Sequence, residues 1–464
     1  MTRPAFLPRW WPLLLLLPML ATLGLHVGWG FQGLYNHDAH AYLRLAGEVK
    51  AYWNGGPAPV SYWPLGFPAL GALVGMMIGD DRWALLLLAI VGWAALVAGF
   101  RRILLDAGAD RDRASLFTLL TVGTSPFLLR HGVVVMSDVP AMAFAIWSLR
   151  FALRAGLTNC LLALLLATAA VIVRLPMAIL LAPAVFGSCW LNIRKGGTPE
   201  RTVVLIALVA CGALIALALG TAMDHPLGLQ MRASNLFQRV FTTVDGEHRF
   251  LLPNGLFVLK PLVHPGFLLL APVCWVFFRK ADLRAAHGPV VGASLLAYLL
   301  FLGMLPDQND RLLLPAVPLV ALVGWPAFQR LSAVPAVKRW ERALVGAAVV
   351  AQLLLFARAI APFVRQDRDQ RELAEWVNGA GASTVYTFGV DQALRTYGHT
   401  GAVVDLWRKE VDRFEPGALV LFNPAANAEQ WKDLAPMRNW QRAVDLGADT
   451  LGVRRDGWVL LRVR

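Results

Sequence analysis

The residues best suited to chemistry are a few acids and arginines set between long apolar runs. Asp38 follows the first such run, in Tyr35-Asn36-His37-Asp38-Ala39-His40-Ala41-Tyr42-Leu43-Arg44. A carboxylate within hydrogen-bond reach of a hydroxyl can take its proton as a general base. The same acid could instead cap the helix that Ala39 to Ala46 suggests. A second acid, Asp138, lies in Val135-Met136-Ser137-Asp138-Val139-Pro140 at the head of another apolar run. It could orient a ligand, support Asp38 or bind a divalent cation, or serve as an N-cap. Arg174, Arg232, Arg239, Arg249 and Arg311 offer planar forks that pair bidentately with phosphate oxygens. Arg174 falls inside an apolar run, where an unpaired charge costs about 3 kcal/mol or more. It therefore needs a partner, such as a phosphate or Asp138, or must reach the interface. Arg311 follows Asp307 and Asp310, so a local ion pair competes with an anion there. His37 and His40 are three apart and could join Asp38 around a metal, although three ligands in so short a span are a weak signal.

The elements that must position these groups are transmembrane helices. The 464 residues are 57% hydrophobic and only 16% charged, against roughly a quarter charged in a soluble domain. The mean hydropathy is +0.55. The net charge of +13 would suggest nucleic acid in a soluble chain. Here the basic residues cluster between apolar runs, as in loops that face anionic headgroups, so membrane lipids are the expected partner and nucleic acid is not. Spans of ~20 apolar residues are expected at 11–29, 83–103, 114–135, 139–154, 159–174, 176–192, 202–221, 262–278, 288–305, 312–329 and 341–360. That is about eleven helices. The Pro- and Gly-rich stretch 64–78 reads as a short re-entrant or interfacial helix. The first run, 10–28, lacks a small-residue cleavage site and is expected to be retained as a helix.

With the N-terminus inside, every inside loop is basic: Arg101, Arg102, Arg111 and Arg113, then Arg150 and Arg154, then Arg194, Lys195 and Arg201, then Arg279, Lys280 and Arg284, then Arg330, Lys338 and Arg339. This agrees with the positive-inside rule and places Asp38 outside. Cys160, Cys189, Cys211 and Cys274 lie in or beside apolar runs and read as buried, inert thiols.

Beyond residue 360 the polarity becomes ordinary. Residues 371–377 (RELAEWV) have helical spacing, and 384–388 (TVYTF), 418–422 (ALVLF) and 457–463 (GWVLLRV) read as short strands. The expected organisation is a membrane domain over 1–360 and a small extracytoplasmic α/β domain over 361–464. The 224–259 connection is the longest outer loop. It carries Arg232, Arg239, Glu247, His248 and Arg249 and could be a lid or a plain solvated linker. P-loop and zinc-protease motifs are absent from the sequence.

An Asp directly after the first membrane helix, an aromatic–leucine helix, and then Tyr62-Trp63-Pro64-Leu65-Gly66-Phe67-Pro68 together resemble the GT-C superfamily of glycosyltransferases. The likeness is greatest to its protein O-mannosyltransferase and aminoarabinose-transferase branch. Val173-Arg174-Leu175-Pro176 is similar to the family's mid-chain Arg element, and Asn309-Asp310-Arg311-Leu312-Leu313-Leu314-Pro315-Ala316-Val317-Pro318 to its late R-x-L-L-P-x-x-P element. The ordered set spans roughly 1–360. It departs from the family where Trp63-Pro64-Leu65 replaces paired prolines. The resemblance implies an α-helical polytopic, GT-C-like membrane enzyme of the bacterial inner (plasma) membrane. Its donor would be a polyprenyl-phosphate sugar, its acceptor a cell-envelope glycan, a lipid or a protein hydroxyl, and its outcome inversion by one displacement. On this reading Asp38 is the general base and Asp138 the second acid. Arg174, Arg232, Arg239 and Arg311 hold the donor phosphate, and Tyr42, Tyr62, Trp63 and His248 contact the acceptor. A metal requirement is unknown, with a divalent cation entertained.

Two other readings stand beside this one. A transporter or flippase of a lipid-linked saccharide also needs intramembrane arginines and outer acids, but it would favour repeats and broken helices in matching positions, which the sequence does not show. A noncatalytic scaffold leaves the acidic outer loop and the outer arginines unexplained.

Overall fold

The computed structural model describes residues 7–61, 63–220, 231–243, 245–284, 287–407 and 409–464; Tyr62 lies outside the described residues. The chain divides into two compact units. One comprises Met1–Gly33, Leu45–Phe237 and Leu252–Ala361, and the other comprises Leu34–Arg44, Gln238–Leu251 and Pro362–Arg464.

The first unit is helical. The opening apolar run forms two helices, α1 (Leu7–Leu14) and α2 (Leu17–Trp29). The break falls between Pro12 and Pro18, which withhold backbone donors from the ladder. Helix α3 (Asn36–Trp53) continues from the second unit into the first. Helix α4 (Gly66–Ile78) has 13 residues and is about 20 Å long, well short of a hydrocarbon core of about 30 Å. This agrees with the short helix expected at 64–78. A Cβ on its Gly66 would stand 2.6 Å from the Ile172 carbonyl oxygen, so only glycine permits that approach. Helix α5 (Asp81–Asp106) is 26 residues long, and Asp80 caps it by accepting from the Trp83 amide at 2.9 Å.

The expected span 114–135 is not one helix. It is α6 (Arg111–Thr118), a π turn over Leu119–Gly123, and α7 (Pro126–Gly132) opening on Ser125. Helices α8 (Asp138–Ala152), α9 (Leu157–Val173), α10 (Met177–Lys195) and α11 (Thr198–Gly220) follow the apolar runs closely. After α12 (Asn254–Phe257), the expected span 262–278 is also broken, holding only the end of α13 (Lys260–Val263) and then α14 (Ala271–Val276). Pro261, Pro265 and Pro272 prevent a continuous hydrogen-bond ladder there. Then come α15 (Gly288–Met304), a 3-10 turn over Asp310–Leu313, α16 (Ala316–Ala333) and α17 (Pro335–Ala380). The span 341–360 and the helix 371–377, expected as separate pieces, are one 46-residue helix with Pro362 inside it.

Among the described residues, four helical stretches are by themselves long and apolar enough to cross a membrane: Asp81–Asp106, Met177–Lys195, Thr198–Ala216 and Pro335–Ala380. On α11, Leu205, Ile206 and Val209 are all exposed. Uncovered aliphatic side chains along a whole helix are costly in water and natural in lipid. Cys160, Cys189 and Cys274 are buried free thiols, with the first two sulfurs 3.6 Å apart.

The second unit holds the strands. Its five-stranded sheet has the order β4 (Ala402–Asp405), β3 (Thr384–Thr387), β5 (Leu419–Phe422), β7 (Val459–Arg462), β6 (Asp449–Val453). β3 pairs in parallel with β4 and β5, whereas β7 runs antiparallel to β5 and β6. Strands β3 and β5 are buried along their whole length, as continuous apolar runs in a covered sheet should be. Alternation along the strands divides the core by face. Val385, Leu419, Leu421 and Leu460 pack with Leu373 and Val377 of α17 and Leu394 of α18 (Asp391–Thr396). Tyr386, Val420, Phe422 and Leu461 pack with Ala443 of α20 (Ala435–Asp445), which follows the one-turn α19 (Pro424–Asn427). The central strands are those read from sequence; the edge strands β4 and β6 are additional. Part of the expected 224–259 loop is a hairpin, β1 (Val240–Thr243) with β2 (Gly246–Arg249). It joins this unit through the Glu247 amide, which donates to the Gln430 carbonyl at 2.9 Å.

Candidate functional site

Asp138, Arg174 and Arg311 meet in the first unit, each delivered by the end of a different element. Asp138 opens α8 and is completely buried. Arg174 ends α9 in an extended conformation, its amide donating to the Ala170 carbonyl at 2.8 Å, and Pro176 lies two residues on. Arg311 sits in the 3-10 turn that Asn309 caps by accepting from the Arg311 amide at 3.0 Å. The buried Tyr298 of α15 holds that turn, donating its hydroxyl to the Leu312 carbonyl at 2.8 Å.

Arg311 Nε donates to Asp138 Oδ2 at 2.6 Å. Arg174 Nη2 stands 3.0 Å from Oδ1, an ion pair by distance but outside hydrogen-bond geometry. Accordingly Asp138 Oδ1 and Arg174 Nε are buried without a hydrogen bond. Two guanidinium cations thus converge on one buried carboxylate. Coulomb attraction is strong at such separations in a low dielectric, but the hydrogen bonds left unmade at Asp138 Oδ1 and Arg174 Nε are a cost that a further polar partner would relieve. Of the two acids that precede Arg311, Asp310 pairs with Lys260 Nζ at 2.8 Å. His131, also buried, shares a hydrogen bond with the Phe127 carbonyl through Nδ1 at 2.8 Å.

Asp38 and Tyr42 belong to the second unit, on the portion of α3 over Leu34–Arg44. Helix α3 begins at Asn36, in the left-handed region at φ 59, so Asp38 is half-buried in the first turn rather than at the N-cap. A carboxylate there favours the helix dipole. Tyr42 is buried, at 2% exposure. The same helix turns carry a polar chain: His37 Nε2 is 3.6 Å from Asp391 Oδ1, Gln392 Nε2 donates to Asp391 Oδ2 at 2.7 Å, and Arg44 Nε donates to Gln392 Oε1 at 3.0 Å. His40 Nε2 lies 3.0 Å from Gln370 Oε1. Burial lowers the His40 imidazole to about 4, so it is neutral and donates to the amide oxygen.

The remaining expected residues are dispersed. Arg232 (first unit) and Arg239 (second unit) are exposed. Arg249 pairs with Glu247 at 2.6 Å on the hairpin, where His248 is stacked on Phe250 with centroids 5.9 Å apart. Trp63 is half-buried, in a turn closed by Ser61 Oγ donating to its carbonyl at 2.7 Å. Among the described residues, no group of three or more His, Cys, Asp or Glu is placed to hold a metal ion. Reading the sequence overlooked Tyr298, His131 and Gln370. Their signal was a polar group within or beside an apolar run, which must find a partner when buried.

No protein-family model matches the chain, and no curated protein matches it in sequence. Solved structures do. ArnT from Cupriavidus metallidurans in the apo state aligns with a TM-score of 0.56 at 14% identity, covering 96% of this chain and 97% of that one. The same protein bound to undecaprenyl phosphate aligns with a TM-score of 0.55 at 15% identity over the same shares. The arabinofuranosyltransferase AftD from Mycobacteria aligns at 0.48 and 13% identity, covering 98% of this chain and 40% of that one. ArnT is a GT-C glycosyltransferase, so the fold implied by the sequence resemblance is the fold observed.

Proposed function

We propose that this chain is a membrane glycosyltransferase that moves a sugar from a polyprenyl-phosphate donor to an acceptor hydroxyl at the outer face of the bacterial inner membrane. The observation that carries the reading is the Asp138–Arg174–Arg311 cluster, two guanidinium groups held together by one buried acid, in a fold shared with a protein that binds undecaprenyl phosphate.

In the proposed reaction, Asp38 accepts the proton of the attacking hydroxyl. The acceptor oxygen bonds to the anomeric carbon as the bond to the phosphate oxygen breaks, and the polyprenyl phosphate leaves with the electron pair. One displacement inverts the anomeric centre. Arg174 and Arg311 neutralise charge that grows on the departing phosphate, the preorganised stabilisation that usually contributes most to catalysis. Asp138, pinned between two cations, is a poor proton acceptor and a good orienter, so its part is positioning. Arg232 and Arg239 supply further positive charge toward the donor. Tyr42, Tyr62, Trp63 and His248 contact the acceptor, a cell-envelope glycan, a lipid or a protein hydroxyl.

The test is transfer from a radiolabelled polyprenyl-phosphate sugar by purified protein. Wild type should transfer label. Asp38→Asn should lose at least 100-fold in turnover while retaining donor binding, and Arg311→Ala should lose donor binding. Asp38→Asn turning over like wild type would remove the base assignment. Donor movement across sealed vesicles without any acceptor would favour a flippase instead.

A further inference from the structure

The second unit contains an open cleft of about 380 Å³ on one side of α17, bordered by the turn between β6 and β7. Arg365, Gln366, Asp369, Gln370 and Leu373 lie on its wall, and Trp458 faces them. The helical spacing explains the grouping: positions three and four apart share a face. The floor is the sheet core, since Leu373 is a core residue and Trp458 packs against the same cluster.

The lining presents polar groups to solvent: Arg365 is exposed, and Gln366, Asp369 and Trp458 are half-exposed. Among the described residues, Arg365, Gln366 and Asp369 make no hydrogen bond or ion pair, and neither does the Trp458 indole N–H. Gln370 is anchored, its Oε1 accepting from His40 Nε2, which turns the rest of its amide into a fixed group. The wall therefore combines a cationic fork, a carboxylate, two amides and an indole.

We infer that this cleft is a saccharide-binding site, one that takes a sugar of one or two rings through stacking on Trp458 and hydroxyl contacts to Arg365, Asp369 and the two glutamines. Each sugar hydroxyl both donates and accepts, so a neighbouring pair of them satisfies a carboxylate and a guanidinium together. The C–H face of the ring covers the indole, as apolar surface on an aromatic plane should. Other ligand classes fit poorly. A purely apolar ligand would strand Arg365 and Asp369 out of water, and a polyanion would meet the Asp369 carboxylate. The volume falls at the small end of the usual range for ligand sites, about 300–1,000 Å³. In the proposed glycosyl transfer, this site would hold the sugar portion of the acceptor, so the inference deepens that reading while standing on separate residues.

The test uses the full chain in lipid nanodiscs, with no donor present. Methyl glycosides of glucose, galactose, mannose, arabinose and N-acetylglucosamine, and the corresponding disaccharides, are titrated by saturation-transfer NMR and calorimetry. At least one should bind saturably, in the millimolar range or tighter. Trp458→Ala and Asp369→Asn should each weaken that binding tenfold or more, while the thermal midpoint shows that both variants are folded. If either unfolds, Trp458→Phe and Arg365→Gln replace them with the same expectation. Absence of saturable binding to every sugar overturns the inference, as does binding that the folded variants leave unchanged. Binding without any transfer from a lipid-linked donor would leave this site standing and remove the transferase reading; transfer without sugar binding here would do the reverse.

Discussion

Arg311 Nε donates to Asp138 Oδ2 across 2.6 Å, joining residues 173 apart in sequence. The contact fastens the 3-10 turn before α16 to the first turn of α8. Arg174 approaches the other carboxylate oxygen from the end of α9. Three chain segments are thus registered by one buried acid. Removing one member of a buried ion cluster typically costs about 3–5 kcal/mol, because the others are left uncompensated.

Asp138→Ala should therefore be strongly destabilised, by about 3–5 kcal/mol. Asp138→Asn should be milder, because its amide oxygen can still accept from Arg311. The check is the thermal unfolding midpoint in detergent with and without polyprenyl phosphate. Under the proposed function the ligand should rescue part of the Asp138→Ala deficit, since an anion replaces the lost charge. Equal midpoints for Asp138→Ala and wild type would show that the trio is structurally idle.

His40 gives a pH dependence whose sign can be worked out. Its pKa falls from 6.5 to about 4 on burial, so the unfolded chain binds the proton more readily than the fold. Stability from this group is present in full above pH 6.5 and is lost as the pH falls toward 4, by about 3 kcal/mol over the window. Denaturant unfolding of the second unit, followed by hydrogen exchange, should become steeply easier in that range for wild type. His40→Gln should show a flatter profile there, whatever its absolute stability. Parallel profiles would contradict a neutral buried imidazole.

Topology is checked by reporter fusions. The basic loops predict that Gly196, at the end of α10, is cytoplasmic and that Gly401, just before β4, is outside. A periplasm-active reporter should work at Gly401 only. The reverse pattern would invert the map and move the proposed chemistry to the cytoplasmic face.

How much of this was legible in the sequence depended on the kind of signal. Apolar runs located α5, α8, α9, α10, α11 and α15 to within a few residues, since in lipid a helix is the way to satisfy the backbone. They failed where prolines cut the run, at 262–278, and where Ser125-Pro126 reopened a helix after a π turn. Strands β3 and β5 were visible because both their faces are covered. β4 and β6 were not, because edge strands carry mixed, partly exposed residues. The β1–β2 hairpin was missed although Asp245-Gly246 is a strong turn signal. At the site, Arg174 needed a partner and Asp138 was one of two candidates for it; the pairing of Arg311 with the same acid had no trace in local spacing. The grouping of Arg365, Asp369 and Trp458 was equally hidden, since a loop brings the indole back from 89 residues downstream of Asp369.

Because one acid fixes both guanidinium groups, the Asp138 trio is set in place before any ligand arrives. Under the proposed function, the ordering cost of two long side chains has been met during folding, so a phosphate would meet a ready-made fork rather than having to assemble one.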